Sequence, residues 1–246
     1  MSGIPYSDIN LGIACPMASE EETALPFVKD ALAVCAPRGF KSVTMYVVLD
    51  YACRDRTREI LEKFAKNEPR LNVVWAPENK NVVDAYMRGY REALAGGNDW
   101  ILEIDAGGSH RPEDISQFFE KMAEGYDCVF GSRFMRGGRM YDSGFKRVVI
   151  SRGGSLLANV LLGTRLKDMT SGFEMFTRAA LEMVLRKGIQ SRSPFFQTEI
   201  KFYCRDLKII EVPIQYRGAS HAINQSALKD SFSNLWRLRK EKKSNA

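Results

Sequence analysis

The sequence predicts an α/β fold: a mostly parallel sheet with helices on both faces and a C-terminal helical elaboration. Short apolar runs alternate along the chain with segments in which apolar residues recur every three to four positions. Such strict alternation of strand and helix requires crossover connections, which join parallel strands and cover the sheet with helices. The chain has 246 residues, 45% of them hydrophobic, which is enough to bury the core of one such domain.

Strands and helices are predicted in strict alternation through the first half of the chain. The predicted strands are 11–15, 43–49, 71–76, 100–104 and 127–131. We predict that Ser19 caps the first helix, because three glutamates follow it, as is typical of a first helical turn. The apolar positions of the four helices are Leu25, Val28, Leu32 and Cys35, then Ile60, Leu61 and Phe64, then 82–94, then Ile115, Phe118, Phe119 and Met122.

The alternation is lost after Gly131. A glycine-containing loop and the start of a helix carry Arg133, Arg136, Arg139, Arg147 and Arg152, and the apolar run 156–162 continues that helix. The Arg side chain pairs bidentately with phosphate, so this segment is either a phosphate-binding loop or a solvated basic loop.

The C-terminal third is predicted to form a turn, two helices and an intervening strand segment. The turn is 168–173, the next helix is 195–204, and a strand pair or edge over 208–216 is broken at Pro213. The last helix, 226–240, has Leu228, Phe232, Leu235 and Leu238 on one side. Because a basic tail follows, this helix is either packed on the domain or lies on a membrane surface.

Composition limits the partners and the compartment. The net charge is +6, and this excess favours anionic partners: sugar nucleotides, lipid phosphates, membrane surfaces or nucleic acid. The five cysteines are scattered, which argues against a disulfide framework or a structural zinc site. We found no signal peptide and no run near the ~18 apolar residues of a membrane span. We therefore expect a cytoplasmic protein, either soluble or peripheral on the cytoplasmic membrane face.

Three acidic residues follow predicted strands and form the candidate site. Glu20, Asp50 and Asp105 lie at or shortly after the ends of the first, second and fourth strands. Gly107 and Gly108, just after Asp105, allow a ligand to approach the backbone closely. Because ligands of open α/β sheets bind outside the carboxyl ends of the strands, we expect the three carboxylates to share one site.

Motifs in seven separated segments resemble one enzyme family. They are the Pro and Glu of 15–20, Asp50, Asp55 and Thr57 of 49–57, and the segments 105–113, 131–134, 150–153, 168–173 and 211–214. In these motifs the chain resembles the inverting, A-type glycosyltransferases of family 2, and within them the dolichol- or polyprenol-phosphate mannose synthases. The resemblance implies a GT-A-like (Rossmann-like) domain over 1–217, with a nucleotide-binding half 10–131 and an acceptor half 132–217. An amphipathic helix and basic tail would follow over 218–246.

The resemblance also implies roles for individual residues. A GDP- or UDP-linked sugar would be bound by Pro16, Ala18, Glu20, Asp50, Asp105, Ala106, Arg133, Arg147 and Arg217. Mg²⁺ or Mn²⁺ would be held by Asp105 and Ser109. The metal ion held by Asp105, together with Arg133, would stabilise the departing nucleoside diphosphate while the sugar moves to a polyprenyl phosphate. If the acceptor were a hydroxyl instead, Asp168 or Glu199 would be the candidate base.

The chain departs from the family pattern at three places. Gly107 replaces the second carboxylate of the metal-binding motif, and Ala18, Tyr51 and Ala52 change the nucleotide pocket. The Lys expected near the C-terminus to meet the lipid phosphate is not evident over 216–224. Two alternatives therefore stay open: a glycosyltransferase of the same fold that acts on a hydroxyl of a polymer, including a hydroxylated base in nucleic acid, and a non-catalytic binder of sugar nucleotides.

Overall fold

The computed structural model describes residues 4–218 and 225–244. The strands in this part of the chain are β1 (Asn10–Pro16), β2 (Ser42–Leu49), β3 (Leu71–Trp75), β4 (Trp100–Glu103), β5 (Cys128–Ser132), β6 (Arg139–Tyr141), β7 (Glu174–Thr177), β8 (Ile209–Pro213) and β9 (Gln215–Arg217). The α-helices are α1 (Ala24–Cys35), α2 (Thr57–Ala65), α3 (Val82–Ala95), α4 (Ile115–Ala123), α5 (Phe145–Leu162), α6 (Arg178–Lys187), α7 (Phe196–Tyr203) and α8 (Gln225–Ser244).

A seven-stranded sheet organises the described residues, with strand order β3-β2-β1-β4-β7-β5-β8. β1 pairs in parallel with β2 on one side and with β4 on the other. β7 is the exception, because it runs antiparallel to both of its neighbours, β4 and β5. The predicted mostly parallel sheet is confirmed, and the carboxyl ends of β1, β2 and β4 lie at one edge.

Helices cover both faces of the sheet, as predicted. Along β4, Trp100 and Leu102 pack into a core with α1, α2 and α4. Ile101 packs on the opposite face, in a core with α3, α5, α6, α7 and α8. Because side chains alternate across a strand, Glu103 lies on the same face as Ile101, between the sheet and the second set of helices.

Ser19 does not cap a helix, so this prediction was wrong. α1 begins at Ala24, and the Ser19 hydroxyl instead donates to the carbonyl of Ala52 (3.0 Å) and accepts from the amide of Arg54 (2.8 Å). The segment before α1 is therefore fastened to the loop after β2. Ser19 could cap a helix, but here its hydroxyl makes long-range hydrogen bonds because the two loops meet at the edge of the sheet.

The short strand β6 was not predicted. It pairs in parallel with β9 in a separate two-stranded sheet, next to the larger one. It has only three residues, two of them exposed, which is too short for an alternating apolar pattern to mark it. None of the helices within residues 4–218 and 225–244 is both long and apolar enough to cross a membrane.

His110 fastens the loop after β4 to β9. Gly107 and Gly108 adopt φ of 73° and 76°, which turns the chain sharply after Asp105. The buried His110 ring then packs between Phe173 and Tyr216, and its Nδ1 accepts a hydrogen bond from the Asp105 amide (3.3 Å). Burial, helped by the charge of Arg133, lowers the pKa of His110 to about 3.

We predict that His110 makes the fold sensitive to mild acid. Its pKa is lower in the folded protein than in the unfolded chain, where it is ~6.5, so the unfolded chain binds more protons below that pH. Folding stability should fall by about 1.4 kcal/mol per pH unit below ~6.5 from this residue alone. Between about pH 7 and about pH 5, urea unfolding of wild type should lose roughly 2 kcal/mol more than that of His110→Gln.

A matched control is Phe173→Leu, which disturbs the same packing without removing a titratable group. This variant should be less stable at both pH values but keep the wild-type loss between them. An equal loss of stability in wild type and His110→Gln would refute the role given to His110.

Candidate active site

A cavity of about 1200 Å³ opens at the carboxyl edge of the parallel strands. The ends of β1, β2 and β4 form one side of it, and residues of α5 and α8 form another. Most of the residues predicted for the site line this cavity: Pro16, Ala18, Glu20, Asp50, Asp105, Ala106, Ser109, Arg133 and Arg147. Asp168, Glu199 and Arg217 are not among the lining residues.

The loops after β1 and β2 hold Glu20 and Asp50 by hydrogen bonds to the backbone. The Glu20 amide donates to the Thr57 hydroxyl at the start of α2 (2.8 Å), and an Asp50 oxygen accepts from the Ala52 amide (2.8 Å). Asp55 accepts from the Thr57 amide (3.0 Å) and from the Glu21 amide (3.0 Å). Asp50, Asp55 and Thr57 of the segment 49–57 thus act together, because their hydrogen bonds hold the two loops in place.

Asp105 and Glu20 are two carboxylates whose like charges repel each other. The Asp105 side chain is 34% exposed, but its surroundings still disfavour the charged form. Burial, followed by the charges of Glu20 and Glu174, raises the pKa of Asp105 to about 7. The pKa of Glu20 is also raised, mainly by burial. A cation placed between the two groups would relieve this repulsion.

Glu20 lies beside the position where the family motif has its second carboxylate. A Cβ on Gly107 would lie 3.5 Å from Oε1 of Glu20, so a longer side chain at 107 would crowd this carboxylate. No group of three or more His, Cys, Asp or Glu residues in the described ranges could hold a metal by itself. The oxygens of Asp105, Ser109 and Glu20 nevertheless suit Mg²⁺ or Mn²⁺ if diphosphate and water supply the remaining ligands.

Arg133 is held rigidly at the cavity wall by Asp168. Nε and Nη2 of Arg133 donate to the two carboxylate oxygens of Asp168, both at 2.7 Å, and Nη2 also donates to the Thr170 hydroxyl (2.5 Å). Both charged side chains are buried. Burial alone would raise the pKa of Asp168, but the charge and hydrogen bonds of Arg133 outweigh it and keep that pKa below its usual value.

Asp168 is therefore positioned to orient Arg133 rather than to face a ligand. Its backbone amide, together with that of Lys167, donates to the carboxylate of Glu211 in β8 (2.9 and 2.8 Å). The segment 168–173 is thus anchored to the sheet, and Arg133 is anchored to that segment. A preorganised guanidinium loses little conformational entropy when it binds a phosphate.

Tyr216 connects the basic residues of the cavity, and the sequence did not reveal it. Its ring lies 5.2 Å from the Arg133 guanidinium and 6.0 Å from that of Arg147, and its hydroxyl accepts from Arg147 (3.3 Å). The neighbouring Arg217 is exposed. A tyrosine next to an arginine near a proline-broken strand was the only signal available, and it was too common to use. The segment 219–224, where the family Lys is not evident, lies outside the described residues.

Glu199 does not line the cavity, and its side chain is engaged within the C-terminal half. It is fully buried on α7 and accepts hydrogen bonds from the Ser191 amide (2.9 Å), the Tyr203 hydroxyl (3.0 Å) and the Arg237 guanidinium (2.5 Å). These contacts join α7 to α8. Glu199 thus lies away from the candidate reacting groups.

A buried polar layer lies directly beneath the site. Glu103 accepts from Gln197, and Lys201 pairs with Glu174, all four side chains being almost completely buried. Burial raises the pKa of Glu103 and Glu174, and the charge of Glu174 raises that of Glu103 further. Because Lys201 is one cation beside two carboxyl groups, the layer is neutral when either Glu103 or Glu174 is protonated. In the sequence, the one feature that indicated this layer was Glu103, an acidic residue inside the apolar strand 100–104.

Comparison with known proteins agrees with this geometry. Residues 13–185 match the model of the family described as Glycosyl transferase family 2. The undecaprenyl-phosphate mannosyltransferase of Micrococcus luteus is 33% identical over 172 residues, which cover 69% of this chain and 70% of that protein. The polyprenol monophosphomannose synthase of Mycolicibacterium smegmatis is 28% identical over 173 residues, which cover 69% of this chain and 65% of that protein.

Solved structures show the same fold at much lower identity. Glucosyl-3-phosphoglycerate synthase from Mycobacterium tuberculosis, in complex with Mn²⁺, uridine diphosphate and phosphoglyceric acid, has a TM-score of 0.63 and 14% identity. The alignment covers 95% of this chain and 78% of that one. The complex of the same enzyme with Mg²⁺ and uridine diphosphate has a TM-score of 0.63, 15% identity, and coverage of 95% and 79%.

The predicted GT-A fold and the predicted enzyme class are thus confirmed. The strand order, the acidic edge of the sheet and the matched region 13–185 lead to one conclusion: this chain belongs to glycosyl transferase family 2.

Proposed function

We propose that the protein transfers a hexose from a GDP- or UDP-linked sugar to a polyprenyl phosphate, with inversion at the anomeric carbon. One observation carries the proposal: a single cavity combines charged groups with an apolar wall. Asp105 and Arg133 supply the charged side, whereas Leu157, Leu228 and Phe232 of α5 and α8 supply the apolar side. A sugar nucleotide meeting a prenyl phosphate needs both.

The two relatives support the choice of substrates. Their names, undecaprenyl-phosphate mannosyltransferase and polyprenol monophosphomannose synthase, both join mannose to a polyprenol phosphate. Mannose is therefore the first sugar to test. Neither relative favours transfer to a hydroxyl of a polymer or nucleic acid, nor a non-catalytic binder. We place the reaction at the cytoplasmic membrane face, where a peripheral protein meets both a soluble donor and a lipid acceptor.

The donor site would be built from strand ends and one arginine. Asp50 would accept a hydrogen bond from the base, and Glu20 and Asp105 would lie near the ribose and diphosphate, with Pro16, Ala18 and Ala106 forming the wall. Arg133 would contact the phosphate that leaves with the nucleotide. Arg147 and Arg217 would contact phosphates of donor or acceptor.

The reaction would be a direct displacement at the anomeric carbon. An oxygen of the acceptor phosphate forms the new bond as the bond to the nucleoside diphosphate breaks, and the leaving group carries the electron pair away. The acceptor is already an anion, so it has no proton to give up and needs no strong base. The engagement of Asp168 by Arg133 and of Glu199 by Arg237 fits this reaction better than transfer to a hydroxyl.

Mg²⁺ or Mn²⁺ would be held by Asp105 and Ser109, with Glu20 as the nearest additional carboxylate. The cation would neutralise charge that develops on the departing diphosphate. Glu20 is the natural substitute for the carboxylate missing at Gly107, because the two positions adjoin each other.

The proposal predicts transfer to prenyl phosphate but not to prenyl alcohol. Radiolabelled GDP- and UDP-sugars should be incubated with each lipid in detergent, and the product extracted and measured. One donor should label the prenyl phosphate, and the product should carry the anomeric configuration opposite to that of the donor. Labelling of the alcohol at the same rate, or of neither lipid with any donor, would contradict the proposed function.

Arg133 and Arg136 form a matched pair for this assay. Arg133→Lys keeps the charge but loses the bidentate contact with Asp168, so transfer should fall roughly 10- to 100-fold. Arg136→Lys changes an exposed residue of the same loop that does not line the cavity, and its rate should match wild type.

The two carboxylates predict how the protein binds Mn²⁺ together with a nucleoside diphosphate. Asp105→Asn should weaken Mn²⁺ binding at least roughly tenfold, because a charged oxygen ligand is lost. Glu20→Gln should weaken it to a similar extent if Glu20 replaces the missing ligand. Titration calorimetry with Mn²⁺, at saturating UDP or GDP, measures both effects without relying on turnover.

Asp206→Asn serves as the control, since its side chain is 80% exposed and distant in sequence from the site. Unchanged Mn²⁺ affinity in Asp105→Asn would show that the cation does not bind at the proposed site. If Asp105→Asn loses Mn²⁺ affinity and Glu20→Gln does not, Glu20 is not a metal ligand and its role is to contact the ribose.

A further inference from the structure

The exposed apolar residues of the described chain are concentrated on two helices. Of the thirteen large hydrophobic side chains that are exposed, nine lie on α5 and α8. Several are largely exposed, such as Phe145 at 84%, Val160 at 71% and Leu156 at 67%. A monomeric soluble surface rarely groups its apolar side chains in this way, and such a patch marks an interaction site.

The apolar residues follow the helical repeat on each helix. On α5, Phe145, Val149, Leu156 and Val160 recur at spacings of four or seven residues and so share one face. On α8, Leu228, Phe232 and Trp236 recur every fourth residue. The two helices also pack against each other. Their exposed faces therefore belong to one region of the molecule.

The net positive charge of the protein is accounted for by the same two helices. Together α5 and α8 contain nine Lys and Arg and two acidic residues, so their net charge of +7 exceeds the +6 of the whole chain. The remaining residues are close to neutral in sum. An apolar face with cations around it is complementary to an anionic, partly apolar partner.

The two acidic residues of α8 are engaged within the protein. Asp230 accepts hydrogen bonds from the hydroxyls of Ser191 and Ser193, both at 2.6 Å, and Glu241 pairs with Arg237 (3.6 Å). The Arg239 guanidinium, by contrast, lies over the exposed Trp236 ring (4.8 Å). An aromatic ring paired with a cation is suited to a membrane interface, where one part contacts acyl chains and the other contacts head groups.

The apolar surface continues into the candidate active site. Ile150 and Leu157 of α5, and Leu228 and Phe232 of α8, are exposed and also line the cavity. A lipid whose chain contacts these side chains could reach the charged end of the cavity without crossing a polar surface.

We propose that α5 and α8 form a docking surface for an anionic lipid bilayer. This surface consists of Phe145, Val149, Leu156, Val160 and Trp236, flanked by Arg239, Lys240 and Lys243. The apolar side chains enter the interface and the basic side chains contact lipid phosphates, which places the mouth of the cavity at the membrane. The proposal rests on the proposed function, because it explains how a prenyl phosphate reaches the site.

Charge decides between a bilayer and a second copy of this chain. Two such surfaces facing each other would bring like charges together, which opposes self-association. An anionic bilayer offers the opposite charge together with an apolar interior.

Co-sedimentation with vesicles tests the docking surface directly. The full chain should bind vesicles of phosphatidylcholine mixed with phosphatidylglycerol at least about tenfold more strongly than vesicles of phosphatidylcholine alone, and added salt should weaken this binding. Val160→Glu should abolish binding, whereas Ile4→Glu, at an exposed apolar residue outside both helices, should not. Equal binding by wild type and Val160→Glu would overturn the proposal.

A second pair of variants tests the role of charge. The double variant Lys240→Gln with Lys243→Gln should bind anionic vesicles roughly tenfold more weakly than wild type, because each basic residue near the surface contributes. The matched double variant Lys63→Gln with Lys66→Gln removes the same charge from α2 and the residue that follows it, and should bind normally. Equal losses in both would show that only net charge matters and would overturn the assignment to α8.

Failure of docking and failure of the proposed function give different results. Transfer to prenyl phosphate in detergent depends on the active site and not on a bilayer. If wild type transfers sugar in detergent but does not bind vesicles, the docking surface is wrong and the proposed function stands. If it sediments as a stable dimer that Val160→Glu makes monomeric, and does not bind vesicles, the surface is instead an interface between copies.

Discussion

The parallel pairing of β1 with β2 and β4 is the constraint on which the site depends. Because the three strands run in parallel, their carboxyl ends lie at the same edge of the sheet. Glu20, Asp50 and Asp105 therefore line one cavity although long stretches of sequence separate them. Burial, and after it the repulsion from Glu20 and Glu174, raises the pKa of Asp105. That repulsion is a cost to the free protein which a bound cation would relieve.

A second set of interactions fixes the basic side of the cavity. Arg133 is oriented by Asp168, the chain at Asp168 is held by Glu211, and Tyr216 lies against the arginines from the small sheet. Burying a charged pair is favourable only when the geometry is good and further hydrogen bonds support it. The bidentate contact between Arg133 and Asp168 has this geometry, and the Thr170 hydroxyl and the amides of Arg133 and Thr170 supply further hydrogen bonds. These contacts present the Arg133 guanidinium on one side of the cavity, while α5 and α8 supply an apolar wall on the other side.

The alternating strands and helices could be predicted from the sequence, because the spacing of apolar residues there indicates both the type of element and its buried face. The strands and helices up to residue 132 lie close to their predicted positions, and acids at strand ends indicated the edge where the cavity lies. Ser19 was misread because its hydroxyl bonds to a loop more than thirty residues away, which local capping rules do not include. Asp168 and Glu199 looked like candidate bases because sequence shows the residue type but not its partner. Only the fold reveals that each is engaged by an arginine.

The most direct test of the account is an experimental structure of the protein with Mn²⁺ and a non-hydrolysable GDP- or UDP-sugar. The account predicts a base beside Asp50, a cation in contact with Asp105, and a diphosphate within hydrogen-bonding distance of Arg133. A nucleotide bound elsewhere on the molecule, or bound in this cavity with its diphosphate remote from both Asp105 and Arg133, would contradict it.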